Sequence, residues 1–297
     1  MENNEYKKGL LAMLGCMLIW GVLPVYWQVL IPISSWVIIL YRILLVCVCG
    51  IVVATIKYGW TRIWEPLKDR DIRIKYFTAG AIITVNWSTF IYTVNSGQVV
   101  QSSIGYYIEP LFICLVGNIV FKEKFTKYNV TAICLAFTSV IIILFHFGEL
   151  PKLALILAIT FSIYTAIKKT VKQPPLISLV YETLIFAPPA LIAIIYLEMN
   201  GKGALAVATP LKYGLLLCCG ILTLIPLGLF AYAAQRIPVF HIGLMQYISP
   251  TISLILGLTV LGESVDFVQI ICFCIIWIGL VFFLIGEYKA YKKGLDG

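Results

Sequence analysis

Ten runs of about twenty apolar residues follow one another along the chain, at residues 9–31, 34–56, 76–96, 99–121, 128–146, 151–167, 175–197, 213–235, 239–261 and 267–287. A run of that length crosses the ~30 Å hydrocarbon core of a bilayer as an α-helix. In lipid every backbone N–H and C=O must be satisfied inside the protein, which leaves helices or closed barrels as the spanning structures. The pattern therefore predicts an all-α membrane protein of ten spans. Composition agrees, because a chain of 297 residues that is 61% hydrophobic and 12% charged holds more apolar surface than a water-soluble core can hide. The first run follows Lys7 and Lys8 as a secretory leader would. It is too long for one, has no small-residue cleavage pattern, and the second run starts almost at once.

The chain also repeats itself at an offset of 140 residues. Tyr107-Ile108-Glu109-Pro110 with Gly117, Val120 and Glu123 returns as Tyr247-Ile248-Ser249-Pro250 with Gly257, Val260 and Glu263. The same offset carries Tyr92 onto Tyr232, Val99 onto Val239 and Tyr41-Arg42 onto Tyr181-Glu182. This predicts two five-helix repeats, residues 1–148 and 149–297.

Charge gives the repeats opposite sidedness. Basic residues gather at Lys7 and Lys8, over residues 57–75, at Lys122, Lys124 and Lys127, at Lys168, Lys169 and Lys172, at Arg236, and at Lys289, Lys292 and Lys293. The alternate loops hold only Lys152, Lys202 and Lys212. Basic loops stay cytoplasmic, so both termini are expected inside and the second repeat inverted relative to the first. The net charge of +8 is then a topology signal, not a footprint for nucleic acid.

Three ionisable groups fall well inside spans, where charge is costly and needs a partner: Arg42, Glu109 and Glu182. Arg42 and Glu109 lie at similar depth from the external end and are expected to meet. Glu182, the repeat counterpart of Arg42, has no obvious basic neighbour. It is read either as a proton carrier, with Glu109 as second choice, or as a member of a network that locks helices together.

Helix-breaking residues stand near mid-membrane: Gly21 beside Trp20, then Pro24, Pro110, Pro226 and Pro250. Near them are Asn86, Trp87, Tyr107, Tyr181, Gln246 and Tyr247, an aromatic and amide set suited to an amphipathic or cationic organic solute. Glu123, Glu263, His146 and His241 sit at span ends and read as anchors or interfacial groups. The nine cysteines all lie inside spans and read as small apolar residues, with no disulfide and no metal expected.

No phosphate-binding G-x-x-x-x-G-K-[ST], H-E-x-x-H or G-x-S-x-G occurs, so neither a catalytic residue nor a cofactor is expected. Trp20-Gly21, an Arg in the second span and a repeated proline followed by Glu thirteen residues on resemble the EamA-type drug/metabolite transporters. Residues 103–111, Asn86-Trp87, Glu182-Thr183-Leu184 and 246–251 resemble its RarD branch, named for chloramphenicol sensitivity. That family tends to place an amide where this chain has Glu109. The resemblance implies a secondary carrier of small organic solutes or drugs in the plasma (inner) membrane, an exporter, with helices of both repeats around a central cavity. The expected partners are lipid, a small organic solute and protons. The alternative is a non-transporting membrane scaffold or lipid-binding partner protein.

Overall fold

Each apolar run becomes a helix or a pair of helices. The computed structural model describes residues 2–95, 99–148, 152–261 and 266–295, with no strand among them. In chain order the helices are α1 (Glu2–Val29), α2 (Ser35–Tyr58), α3 (Trp60–Trp64), α4 (Arg70–Asn95), α5 (Val99–Ile119), α6 (Lys127–Phe147) and α7 (Lys152–Thr170). They continue with α8 (Pro175–Leu184), α9 (Ala187–Met199), α10 (Pro210–Ala234), α11 (Val239–Met245), α12 (Ile248–Leu256) and α13 (Phe267–Leu295). Local chemistry sets several ends. Thr126 and Thr209 accept hydrogen bonds from the amides of Asn129 and Lys212 at the starts of α6 and α10. Gly148 closes α6 in the left-handed region, at φ 65°.

Among the described residues, seven helices are long and apolar enough to cross a membrane, and an eighth span results if α8 and α9, bent by 54°, count as one. The expected ten is therefore not reached by that measure. Charges at the start of α4 (Arg70, Asp71, Arg73, Lys75) and the polar run Asn86-Trp87-Ser88-Thr89 lower its apolarity, and α5 enters that measure only as Ile108–Ile119, most side chains of residues 99–107 lying outside the described residues. Large apolar side chains such as Leu11, Ile56, Phe145, Ile192 and Leu211 point outward, as expected where the solvent is lipid.

The chain forms two compact units, each drawing helices from both sequence halves. The first comprises Met1–Trp87 and Ile167–Arg236, the second Ser88–Ala166 and Ile237–Gly297. In the first unit α2 packs on α8, α9 and α10, and α1 packs on α10. In the second, α13 packs on α6 and α11 on α5.

Both units contain repeat-related crossings. In the first, a Cβ on Gly220 would lie 2.6 Å from Leu45 Cβ, and one on Gly80, 140 residues earlier, would run into the backbone carbonyl of Glu182. Gly80 and Gly220 are repeat counterparts that each admit a close approach from the other half, with partners Glu182 and Leu45 three residues apart in the repeat register, and glycine is what lets the helices approach so near. In the second unit Ser139 Oγ donates to the Cys272 carbonyl at 3.1 Å. The offset turns that pair into Gly279 and Ala132, where a Cβ on Gly279 would lie 3.2 Å from the Ala132 carbonyl.

The anticipated helix breaks are only partly used. α1 runs on through Gly21 and Pro24, α5 through Pro110 and α10 through Pro226. A proline removes one ladder hydrogen bond, and within a packed bundle the helix can continue past it. Pro250 does accompany a break: α11 ends at Met245 and α12 begins at Ile248, leaving Gln246 and Tyr247 between. The ring of a proline excludes the carbonyl four residues earlier, which here belongs to Gln246. A second interruption comes before Pro188 and Pro189, which start α9 after the 54° bend.

Candidate functional site

In the first unit the central feature is Arg42, on the second turn of α2. Its guanidinium carbon lies 4.1 Å from the centroid of the Trp87 ring and 5.9 Å from that of Trp27. Its Nε is buried with no hydrogen-bond partner among the described residues, and no carboxylate of its own unit pairs with it. The adjacent Tyr41 hydroxyl is engaged elsewhere, donating to Glu198 Oε1 at 2.7 Å and lying 3.3 Å from the Tyr213 hydroxyl. Glu198 also accepts from the amides of Ala204 and Leu205, which fixes the turn after α9 over Tyr41.

Glu182 has the partner that its sequence context hid. Lys168 Nζ lies 2.5 Å from Glu182 Oε1, with the two side chains 1% and 2% exposed. Ser178, one turn earlier on α8, donates to the same carboxylate oxygen at 2.6 Å and accepts from Lys168 at 2.7 Å. Lys168 belongs with the basic cluster of the loop by sequence, but α7 extends to Thr170 and carries it into the protein. It is therefore a buried counter-ion and not a solvated topology charge. Asn86, nine residues before the end of α4, is buried at 7% exposure, and Trp20 packs 5.7 Å from Phe230 within the Val46, Leu224 and Leu227 cluster. Tyr181 is wholly buried, stacks on Tyr76 at 5.0 Å and donates to the Ile63 carbonyl, so it pins α3 to the bundle.

In the second unit Glu109 and Gln246 meet. Gln246 Nε2 donates to Glu109 Oε1 at 2.6 Å, joining α5 to the break between α11 and α12. Gly243 permits the approach, since a Cβ there would sit 2.6 Å from the Pro110 carbonyl and 2.7 Å from Cys114 Sγ. Gln246 Oε1 is buried with no partner among the described residues. Tyr247 is buried in the core with Ile108, Leu111 and Phe273, and Thr251 hydrogen-bonds its carbonyl at 2.7 Å, holding the first turn of α12. Arg42 and Glu109, expected to meet, belong to different units, and each is held by groups of its own unit. The Tyr107 side chain lies outside the described residues, as does Glu263.

Two anchors differ from expectation. Glu123 binds backbone and not a neighbouring lysine: its oxygens accept from the amides of Val239 at 2.7 Å and Phe240 at 2.9 Å, the first residues of α11. A carboxylate suits the positive end of a helix. His241 is buried, not interfacial, because all of α11 is covered, and its ring lies 4.1 Å from Phe240 and 5.2 Å from Phe283. His146 does stay near solvent, 2.9 Å from Asp266. Of the nine cysteines, all free thiols, Cys134, Cys218 and Cys274 are exposed on helix surfaces and are not packing groups.

Sequence reasoning missed Lys168, Ser178 and Trp27. Ser178 stands four residues before Glu182, the spacing that puts two side chains on one helix face, and was available as a signal. Nothing in the sequence distinguishes Lys168 from Lys169.

Comparison with known proteins bears on the whole chain. The model of the EamA-like transporter family matches residues 7–145 and again residues 151–285. The chain is 34% identical over 297 residues to the uncharacterized transporter YojE of Bacillus subtilis (strain 168), covering 97% of each protein. It is 32% identical to Protein RarD of Streptomyces exfoliatus, covering 94% of this chain and 89% of that protein. A solved crystal structure superposes with a TM-score of 0.72 at 14% identity, over 92% of this chain and 96% of that one, a likeness of fold alone.

Proposed function

The chain belongs to the EamA-like transporter family, a multi-pass membrane transporter, and from that premise we propose that it is a secondary carrier exporting small organic solutes across the plasma membrane by alternating access, with both termini cytoplasmic. The observation that carries this reading is the double match: one family model fits residues 7–145 and again 151–285. The basic flanks of the two copies are opposite, as an inverted repeat requires. Two repeats of one architecture, inserted in opposite senses, can exchange conformations, which gives one chain two near-equal states open to opposite sides. The paired glycine crossings inside the first unit support a repeat that persists in the packing.

With no nucleotide-binding motif in the sequence, the energy is drawn from an ion gradient. We assign proton coupling to Glu109 in preference to Glu182. Adding a proton to Glu182 leaves the buried ammonium of Lys168 without its counter-charge, whereas Glu109 is partnered by a neutral amide and can change charge without stranding a cation. Protons entering down their gradient then drive solute outward.

Reconstitution tests both parts. Purified protein in liposomes is expected to move small organic solutes faster than empty liposomes, and an imposed pH gradient is expected to accelerate this. Glu109→Gln is expected to keep flux while losing the gradient's effect, and Glu182→Gln to keep the gradient's effect in whatever protein folds. Correctly folded protein that moves none of a broad set of acids, amines and neutral solutes would instead favour a membrane scaffold.

A further inference from the structure

Among the charged groups of the described residues that fall within apolar helices, Arg42, which is part-buried, stands apart. Lys168 and Glu182 neutralise each other, and Glu109 receives an amide proton from Gln246. Arg42 has five N–H donors; its buried Nε has no hydrogen-bond partner among the described residues, and no carboxylate of its unit pairs with the guanidinium. It stands seven residues into α2 from Ser35, about 10 Å below the end of the helix at 1.5 Å per residue. Taking a guanidinium out of water is costly, and an indole face returns only part of that cost. The two tryptophans therefore position the charge without neutralising it. Tyr41, the nearest hydroxyl in sequence, is already bonded to Glu198.

We propose that Arg42 is the docking group for the acid function of the transported solute, so that the solute class is a small organic acid carrying a carboxylate or a phosphate. The proposal rests on the carrier reading above and sharpens it. A guanidinium offers a planar fork of donors matched to carboxylate and phosphate oxygens. Trp27 and Trp87 hold that fork from the side and supply an apolar wall for the rest of the solute. The same arrangement argues against a cationic solute at this place: the indole faces that would attract it are occupied by the protein's own cation.

The test uses the full-length protein in detergent at fixed ionic strength, with thermal stability read against benzoate, phenylphosphonate, benzamide, benzylamine and short-chain phosphatidylglycerol. Benzoate, phenylphosphonate or both are expected to raise the melting temperature in a saturable way, with benzamide and benzylamine inert; the two acids separate carboxylate from phosphate recognition. Arg42→Lys is expected to weaken the acid's apparent Kd by roughly tenfold or more, since it keeps the charge and loses the fork. Arg42→Gln is expected to abolish the effect, and Trp87→Phe, which leaves the charge in place, to weaken it less than Arg42→Lys does. Stabilisation by benzylamine and not by the acids, an unchanged acid response in Arg42→Lys, or a response to phosphatidylglycerol alone would overturn the proposal. Flux separates this from the carrier reading. Transport of amines without acid binding removes the acid class and leaves the carrier. Arg42-dependent acid binding without any flux leaves the site and removes the carrier.

Discussion

At the scale of single residues, the contrast between Glu182 and Arg42 decides what each can do. Both are ionisable groups inside apolar runs, and they are repeat counterparts, yet one has a full complement of partners and the other has two indole faces. Removing one member of a buried ion pair strands the other, at a cost of about 3–5 kcal/mol, while replacing both by apolar groups is often neutral. Lys168→Met is therefore expected to lower the melting temperature strongly, and Lys168→Met with Glu182→Leu to recover most of the loss, both read by thermal unfolding in one detergent. Equal destabilisation by the single and double variants would deny the pair its structural role. The three charged positions were legible in the sequence because charge in a twenty-residue apolar run is rare and conspicuous. Their partners were not. Lys168 sits in the sequence beside Lys169, and only the register of α7 turns one inward. Tyr181 shows the partners of an aromatic to be equally hidden: it reads as a candidate solute contact at mid-span, and its hydroxyl is bonded to the Ile63 carbonyl and its ring stacked on Tyr76. Tyr181→Phe should cost about 1 kcal/mol of stability, the worth of one hydrogen bond, and leave solute flux unchanged.

At the scale of helices, small residues decide how closely two elements approach, and proline decides where one is cut. A Cβ on Gly80 meets backbone of Glu182 and one on Gly220 meets Leu45, whereas one on Gly214, in the same helix as Gly220, meets nothing within 4 Å. Gly80→Ala and Gly220→Ala are expected to destabilise by ~1–3 kcal/mol, as overpacking does. Gly214→Ala should be neutral or stabilising by up to about 1 kcal/mol, because alanine is the better helix former. Melting temperatures of the three variants check this, and a loss in Gly214→Ala as large as in the others would mean that helix propensity and not close packing governs these sites. Proline was the less readable signal. Five glycine or proline positions announced breaks, and the chain is cut at only one of them, next to Pro250, while the sharp bend of the seventh span falls at Pro188-Pro189. A proline states that one hydrogen bond is missing, and neighbouring packing decides whether the helix ends there. Pro250→Ala restores the missing donor and permits α11 and α12 to fuse. Hydrogen exchange at Gln246 and Tyr247 is then expected to slow, and solute flux to fall as Gln246 leaves Glu109.

At the scale of the molecule, sequence halves and compact units divide the chain differently. The repeat is readable from residue identities alone, since the 140-residue offset needs no gap. The interleaving is not, because it depends on which apolar face chooses which partner, and in a chain whose helices are apolar nearly all round those faces look alike. Yet the interleaving governs how the chain can fold. α1 rests on α10, α2 on α8, α9 and α10, α5 on α11, and α6 on α13, so the main packing partners of the first half lie in the second. In lipid, helix association depends on packing and interhelical polar contacts more than on burial from water, so a half deprived of those partners has little to hold its helices together. Residues 1–148 and 149–297 expressed as separate chains are each expected to insert but to remain protease-sensitive, lacking the Gly80, Gly220 and Ser139 crossings that join them. Co-expressed, they should associate, survive extraction together in a mild detergent and regain the melting transition of the intact chain. A first half that alone resists protease as the whole chain does would show that its folding needs nothing from the second, and the repeats would then be self-sufficient bodies in place of halves interleaved within each compact unit.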